Sequence, residues 1–392
     1  MAIERVTIQG FRGARDVVLE PGSLCALVGE SSSGKSTVLS AIWTLLEAAA
    51  PMPTGEDVSR GEKRVHVEAE VGGRTLFLDA KPPETLNLNR QGAPHALFFP
   101  ADLRPTTLLA PTDSPAKRAV GVVSRERTED GGLTLVRSLA ALVEARVRGL
   151  VILIEEPELY LSPPAQRHLH RLLRALAGRG RNQVLYSTHS PVFLGVDELD
   201  ELVLVRHDER TGTTLLQPEA LTRKQAFRMV AELDAERAEM FLARAVMLVE
   251  GRTEKVALPF VFSALGLDAD QEAITVVDCQ GKGNIPLFAE ICNACHIPYV
   301  VLHDRDAPRG QQPAEAEQIA NDTILRVAGR KRTITLVPDF EGVSGLRARR
   351  GKPEAAWRRF QEGNGSVPSP LKQAVERVVA SARRAPRTTR GA

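Results

Sequence analysis

The sequence predicts two consecutive α/β units followed by a short basic helical segment. Three observations carry that expectation. Short apolar runs of strand length alternate with longer stretches of helical period. Glycine-rich or acidic turns stand just after several of the runs, the position at which open α/β sheets take their ligands. The alternation also restarts near residue 243, which places domains at 1–242 and 243–345 and a basic segment at 346–392.

In the first unit a strand is expected at Ile3 to Gln9 and a second at Ser23 to Val28. A Gly/Ser loop and a helix from Lys35 to about Ala49 follow. Residues 62–80 alternate (Val65, Val67, Ala69, Val71, then Leu76 and Leu78) and read as one or two strands. Residues 82–130 are rich in Pro and Thr and read as loops with short elements. A helix over Leu133 to Val147 leads to the apolar run Leu150 to Ile154, which reads as a buried strand. Then come a helix at Pro164 to Leu176, strands at Val184 to Ser187 and Leu202 to Arg206, and a helical stretch over 217–243. The second unit offers strands at Val246 to Val249, Ile274 to Val277, Tyr299 to His303 and Thr333 to Val337. Helices near Glu254 to Leu265, Ile285 to Cys295 and 313–327 lie between them.

With 43% hydrophobic and 26% charged residues, a packed core is expected and wholesale disorder is not. A formal charge of +2 says little about partners, but residues 342–392 hold twelve Lys/Arg against three Asp/Glu. Such a basic end either lies against nucleic acid or is a solvated tail. Aromatic residues are only 4%, which argues against reading single strands by base stacking and favours backbone contacts to DNA. The N-terminus has no apolar signal region, no run reaches the roughly 18 residues of a membrane span, and there are four cysteines, so a cytoplasmic, reduced protein without a membrane partner is expected.

Gly29-Glu-Ser-Ser-Ser-Gly34-Lys35-Ser36 matches the phosphate-binding pattern G-x-x-x-x-G-K-[S/T], with Thr37 just behind it. The glycines let backbone N–H groups curl around phosphate oxygens. Lys35 brings a cation to the terminal phosphates, and the Ser36 hydroxyl can ligate Mg²⁺. The run Leu150 to Ile154 delivers Glu155 and Glu156 at a strand end, the first for the Mg²⁺ shell of ATP and the second to polarise the attacking water. His189, in Tyr186-Ser-Thr-His-Ser-Pro191, again follows a short strand, from which it can reach the terminal phosphate.

Together these residues resemble the ABC-type ATPases of the SMC and RecF kind, as does the opening Ile-Gln-Gly10-Phe11-Arg12-Gly13. The resemblance implies two heads that sandwich ATP, hence a homodimer, each completing the other's site with a glycine-bearing signature. The best candidate for that signature is Glu129-Asp130-Gly131-Gly132, which departs from the usual Leu-Ser-Gly-Gly-Gln form. About 95 residues separate the phosphate-binding loop from this point, too few for a long coiled-coil arm.

The second unit carries its own acids at strand ends. Glu250 leaves the opening strand, and Glu254 follows four residues on, one helical turn away. Asp304 and Asp306 end another strand on one face. Pro338-Asp339-Phe340-Glu341 follows a third, with Lys352 close behind. Clustered carboxylates repel unless a cation neutralises them, and hard oxygen ligands suit Mg²⁺ or Mn²⁺. Two such ions form an apparatus for phosphodiester cleavage, and a nearby Lys can stabilise charge on the phosphate.

This half resembles a Toprim domain. The Glu-Gly-x-Thr-Glu form behind an ABC-type ATPase is most similar to the overcoming-lysogenization-defect (OLD) family of nucleases, over about residues 1–355. The resemblance implies a Mg²⁺-dependent nuclease with frequent roles in phage defence. By position, Glu250, Glu254, Asp304, Asp306 and Glu341 match the family's metal ligands and Lys352 its basic catalytic residue, and Asp278 is a further candidate for the second ion. A partner such as a helicase also falls within what the family allows. The competing reading is a RecF-like switch, in which ATP drives binding to DNA or a partner without cleavage. Cys292-Asn-Ala-Cys295-His296 fits a haem-attachment pattern, but its place in a helix is better explained by buried cysteines, and no haem is expected.

Overall fold

A computed structural model describes residues 2–101, 131–178, 181–194, 199–218, 232–346, 350–361 and 366–385. They fall into two compact units, which meet between residues 218 and 232 of the chain. No described helix is long and apolar enough to cross a membrane.

In the first unit, β1 (Ile3–Phe11), β2 (Ala14–Leu19), β4 (Val65–Val71), β5 (Arg74–Lys81) and β6 (Thr85–Asn89) form an antiparallel sheet in the order β2-β1-β4-β5-β6. The alternation over residues 65–80 is the buried face of two of these strands. A second sheet has the order β11-β10-β3-β9-β8-β7. It is built from β3 (Leu24–Val28), β7 (Ala96–Phe99), β8 (Val151–Glu155), β9 (Gln183–Thr188), β10 (Leu202–Asp208) and β11 (Gly212–Leu216). All of its neighbours are parallel except the edge pair β10–β11. Parallel strands buried on both faces explain why β3 and β8 read as unbroken apolar runs. Helix α1 (Lys35–Leu46) sends Val38, Leu39, Ile42 and Leu45 into a core shared with both sheets, and Trp43 stacks on Phe98 with ring centroids 4.9 Å apart.

The parallel order fixes the site. The loops after β3, β8 and β9 leave the same edge of the sheet, and β9 lies between the other two. Helices α2 (Gly131–Glu144) and α3 (Pro163–Gly178) fall where helical period was expected. Strands β2, β6, β7 and β11 were not anticipated. Each is four to six residues long, and all four lie at a sheet edge, where pairing rather than their own pattern holds them.

The second unit is a four-stranded parallel sheet ordered β13-β12-β14-β15, from β12 (Ala245–Val249), β13 (Ile274–Asp278), β14 (Tyr299–Asp304) and β15 (Thr333–Leu336). Helices α5 (Arg252–Ala264), α6 (Ile285–Ala294) and α7 (Glu315–Ala328) connect them, and the short α8 (Phe340–Ser344) follows β15. Two boundaries differ from the sequence reading. Of the helical stretch expected over 217–243, residues 219–231 lie outside the described residues. The remainder holds one turn, α4 (Ala235–Ala238), capped by Asp234 and followed by buried Met240 and Phe241. Arg237 of this turn donates to the Asp278 carbonyl at 2.7 Å, so the chain from 232 onward already belongs to the second unit.

The C-terminal segment is also more than a basic tail. Helices α9 (Lys352–Gln361) and α10 (Ser369–Arg384) place Ala356, Phe360, Leu371, Val375 and Val378 in the same core as Val249, Leu302 and Leu336. The charge count masked an apolar stripe at helical spacing that covers one face of the sheet.

Candidate nucleotide and carboxylate sites

The loop after β3 opens onto a cavity of about 500 Å³ lined by Ser31, Ser32, Gly34, Lys35, Ser36 and Thr37, with Glu156 and His189 also on its wall. Two glycines make the loop possible. Gly34 has φ +106°, and a Cβ there would lie 2.2 Å from Thr213 Oγ1; a Cβ on Gly29 would lie 2.1 Å from the Val205 carbonyl oxygen. Thr213 pins the loop by donating to the Ser33 carbonyl at 3.1 Å. Lys35 Nζ donates to the carbonyls of Gly29 (2.9 Å) and Glu30 (2.8 Å). Burial lowers its pKa to about 8, against the upward pull of Glu156, Glu158 and Glu30. A ligand phosphate beside it would favour the charged form.

A Gly34→Ala substitution is therefore expected to weaken ATP binding at least tenfold, because it adds backbone strain of about 1–3 kcal/mol and a clash. Titration with a fluorescent ATP analogue checks this, and unchanged affinity would contradict it.

Glu155, at the end of β8, accepts from the Ser36 hydroxyl and from the Ala101 N–H (3.3 Å), and burial raises its pKa. The two residues expected to share one Mg²⁺ are thus already neighbours. Glu156 follows with φ +43°, a left-handed conformation held by hydrogen bonds from its N–H to the Ser187 carbonyl (3.0 Å) and hydroxyl (3.2 Å). Strain at such a position is characteristic of functional sites. His189 Nε2 lies 3.7 Å from Glu156 Oε1, and burial and Lys35 lower the His189 pKa, so its imidazole is neutral near pH 7. The sequence reading missed Glu158. Its carboxylate accepts from the His189 N–H at 2.6 Å and ties the end of β8 to the end of β9. Glu129 and Asp130 of the expected signature lie outside the described residues; Gly131 opens α2.

In the second unit Asp304 lies at the centre of the acids. Its N–H donates to Glu250 Oε2 at 3.5 Å, and its Oδ1 is buried without a hydrogen-bond partner. Burial first, then the charges of Glu254, Glu250, Asp306 and Glu341, push its pKa to about 8. Glu254 is 6% exposed and is pushed to about 7 by burial and then Glu250. Burial also raises Glu250. Carboxylates that are costly to ionise, with an orphaned oxygen among them, form a donor set that fits a hard divalent cation.

The five expected ligands are electrostatically coupled, but their side chains do not all converge. Among the described residues no group of three His, Cys, Asp or Glu is arranged to hold an ion as the side chains stand. Lysines engage two of the five. Asp306 is hydrogen-bonded by Lys282, and Glu341 pairs with Lys352 at 2.8 Å. That contact and Glu341's charge raise the Lys352 pKa. Asp278 is engaged in its own turn, where its Oδ1 accepts from the Gln280 N–H at 2.7 Å.

Lys282 and Glu317, absent from the sequence reading, complete the cluster. Lys282 is 7% exposed and also bonds Glu317 at 2.7 Å. Burial opposes its charge, yet the bonds to Asp306 and Glu317 hold its pKa above the ordinary value. His303, just before Asp304, is buried with both ring nitrogens engaged, by the Asp304 carbonyl and by Thr335 (each 3.0 Å). All four cysteines are buried, Cys292 and Cys295 among them.

Comparisons with known proteins follow the same division. Residues 241–306 match the family model for the Toprim domain of overcoming-lysogenization-defect-like proteins. Residues 130–195 match an AAA-domain family described as putative AbiEii toxin of type IV toxin–antitoxin systems, and residues 1–54 a family of unknown function. An OLD nuclease from Thermus scotoductus is 37% identical over 213 residues, covering 50% of this chain and 40% of that protein. The Old nuclease of Escherichia phage P2 is 27% identical over 205 residues, covering 50% and 35%. The chain therefore matches less than half the length of either relative. The solved C-terminal region of the Burkholderia pseudomallei OLD protein aligns at 18% identity and TM-score 0.31, over 36% of this chain and 99% of that one. In the kind and order of the stretches that match, an AAA-type domain and then a Toprim domain, the chain is similar to ATPase–Toprim proteins of the overcoming-lysogenization-defect type.

Proposed function

We propose that the protein is an ATP-binding and ATP-hydrolysing endonuclease that cuts DNA with Mg²⁺ or Mn²⁺ at the Toprim carboxylates, in phage defence or DNA repair. The observation that carries the reading is Asp304, buried with an unpartnered oxygen among four other acids. A recognition module has no use for so costly an arrangement, whereas a site that holds cations does.

In the ATPase half, the loop from Gly29 cradles the phosphates, and Lys35 supplies positive charge to them. Ser36 and Glu155 would hold Mg²⁺, and Glu156 is placed to take the proton of the attacking water. Neutral His189 donates a hydrogen bond towards the terminal phosphate. In the Toprim half, Glu250, Glu254 and Asp304 would hold one ion, and Asp306 and Glu341 would contribute to a second once released from their lysines. When bound, the cations supply positive charge that favours ionised water and stabilises the departing oxygen. Lys352, half exposed at the start of α9, offers its ammonium to the scissile phosphate. The protein acts as a homodimer through its ATPase half, with a helicase as a possible class of partner.

Purified protein is expected to nick or linearise supercoiled plasmid with Mn²⁺ or Mg²⁺ but not with EDTA, and to do so at a rate that ATP changes. Gel analysis with and without ATP reads both effects. Intact ATP hydrolysis with no cutting under either metal would favour the RecF-like switch.

A further inference from the structure

Lys282 has an unusual place for a lysine. It sits on a short turn after β13, reached through Gln280 (φ +56°) and Gly281 (φ +121°), and its side chain is only 6% exposed. Its ammonium is shared by Asp306, an expected metal ligand, and by Glu317 on α7, at 2.7 Å. Glu317 is not an expected ligand, and its side chain is 41% exposed. A buried charge must be paired, so this lysine neutralises acids that would otherwise repel one another. The same contact occupies one of the two Asp306 carboxylate oxygens, the atoms an ion there would draw on.

We propose that Lys282 is an internal counter-ion that competes with a divalent cation for Asp306, with Glu317 as the anion to which the ammonium withdraws. This inference rests on the metal-dependent reading above. It makes the metal site self-neutralising: when no ion is bound Asp306 is held by Lys282, and when one is bound Lys282 stays with Glu317. The lysine thus sets how much free metal the site requires.

The two halves of the contact predict opposite effects. Lys282→Met keeps the length of the side chain but removes its charge, leaving Asp306 free. Its affinity for Mn²⁺ is expected to be about tenfold tighter, the scale of one nearby charge at a partly solvated site. Glu317→Gln removes the alternative anion, so the ammonium holds Asp306 more firmly and Mn²⁺ binds about threefold more weakly. Isothermal titration of MnCl₂ into metal-stripped, nucleotide-free full-length protein measures both, with Asp304→Ala as the baseline.

Tighter binding in Lys282→Met together with weaker binding in Glu317→Gln supports the inference. Unchanged or weaker binding in Lys282→Met, or tighter binding in Glu317→Gln, overturns it. If Lys282→Met does not fold, the sign of the Glu317→Gln change decides alone. Mn²⁺ binding that Asp304→Ala abolishes upholds the metal-dependent reading whichever way the pair falls. Absence of such binding in the wild type overturns both.

Discussion

Asp304→Asn is expected to abolish DNA cleavage and, in the absence of metal, to make the Toprim unit more stable. Both effects have one cause. Burial and four acidic neighbours raise the Asp304 pKa from 3.8 to about 8. In the unfolded chain the group ionises near its ordinary value. Between those limits the unfolded state releases the proton and the folded state keeps it, so this group's contribution to stability falls as pH rises from about 4 to about 8. Below that window the group costs nothing. An amide keeps the shape and does not ionise, so on the order of 2 kcal/mol should be regained near pH 7.

Scanning calorimetry in EDTA at pH 5 and pH 8 would measure this. The wild-type transition of the second unit should fall with pH more steeply than that of the variant, and added Mn²⁺ should rescue the wild type alone. A variant that is less stable than wild type at pH 8 would mean that Asp304 holds the fold together rather than storing strain for an ion. Residual cleavage above about one hundredth of wild type would remove Asp304 from the proposed centre.

The second large effect is expected at Glu156. Glu156→Gln should lower ATP turnover about 10²–10⁴-fold, the usual contribution of a positioned general base, while ATP binding changes little. Binding is expected to depend on the loop from Gly29 to Thr37, whereas Glu156 stands across the cavity beside His189. Its backbone conformation is held by Ser187, so the shorter-range structure should survive the change. Phosphate release and nucleotide titration separate the two quantities. Turnover within threefold of wild type would refute the role. The variant also tests the proposed nuclease activity: cutting that persists with ATP bound and unhydrolysed would assign control to binding, and cutting that is lost would assign it to hydrolysis.

Much of both sites was legible in the sequence because their chemistry is local. Gly29, Gly34, Lys35 and Ser36 lie within one turn, and the glycines are required there by a left-handed φ and by close approach of Thr213 and the Val205 backbone. An apolar run followed by Glu155 and Glu156 needs no tertiary information to be read as a buried strand that ends in acid. The same holds for Glu250 and Glu254, one helical turn apart, and for Asp304 at the end of β14. Short edge strands were less legible. β2 carries two charged residues among six and is held by its antiparallel pairing with β1, which no local pattern announces.

What only the tertiary structure decided is which residues become neighbours across long stretches of chain. Thr213 reaches the phosphate-binding loop from 180 residues away, and Glu158 fixes His189 from 31. Lys282 stands 24 residues from Asp306 and 35 from Glu317, and nothing in the spacing of the three marks them as partners. The physical reason is that side-chain period is written along the chain, whereas strand order and register arise from packing between chain segments. The sequence by itself determined the two α/β units, the phosphate-binding loop and the acids at the strand ends. The fold decided that two of those acids are held by lysines, and that the basic C-terminal helices cover the second sheet with an apolar face.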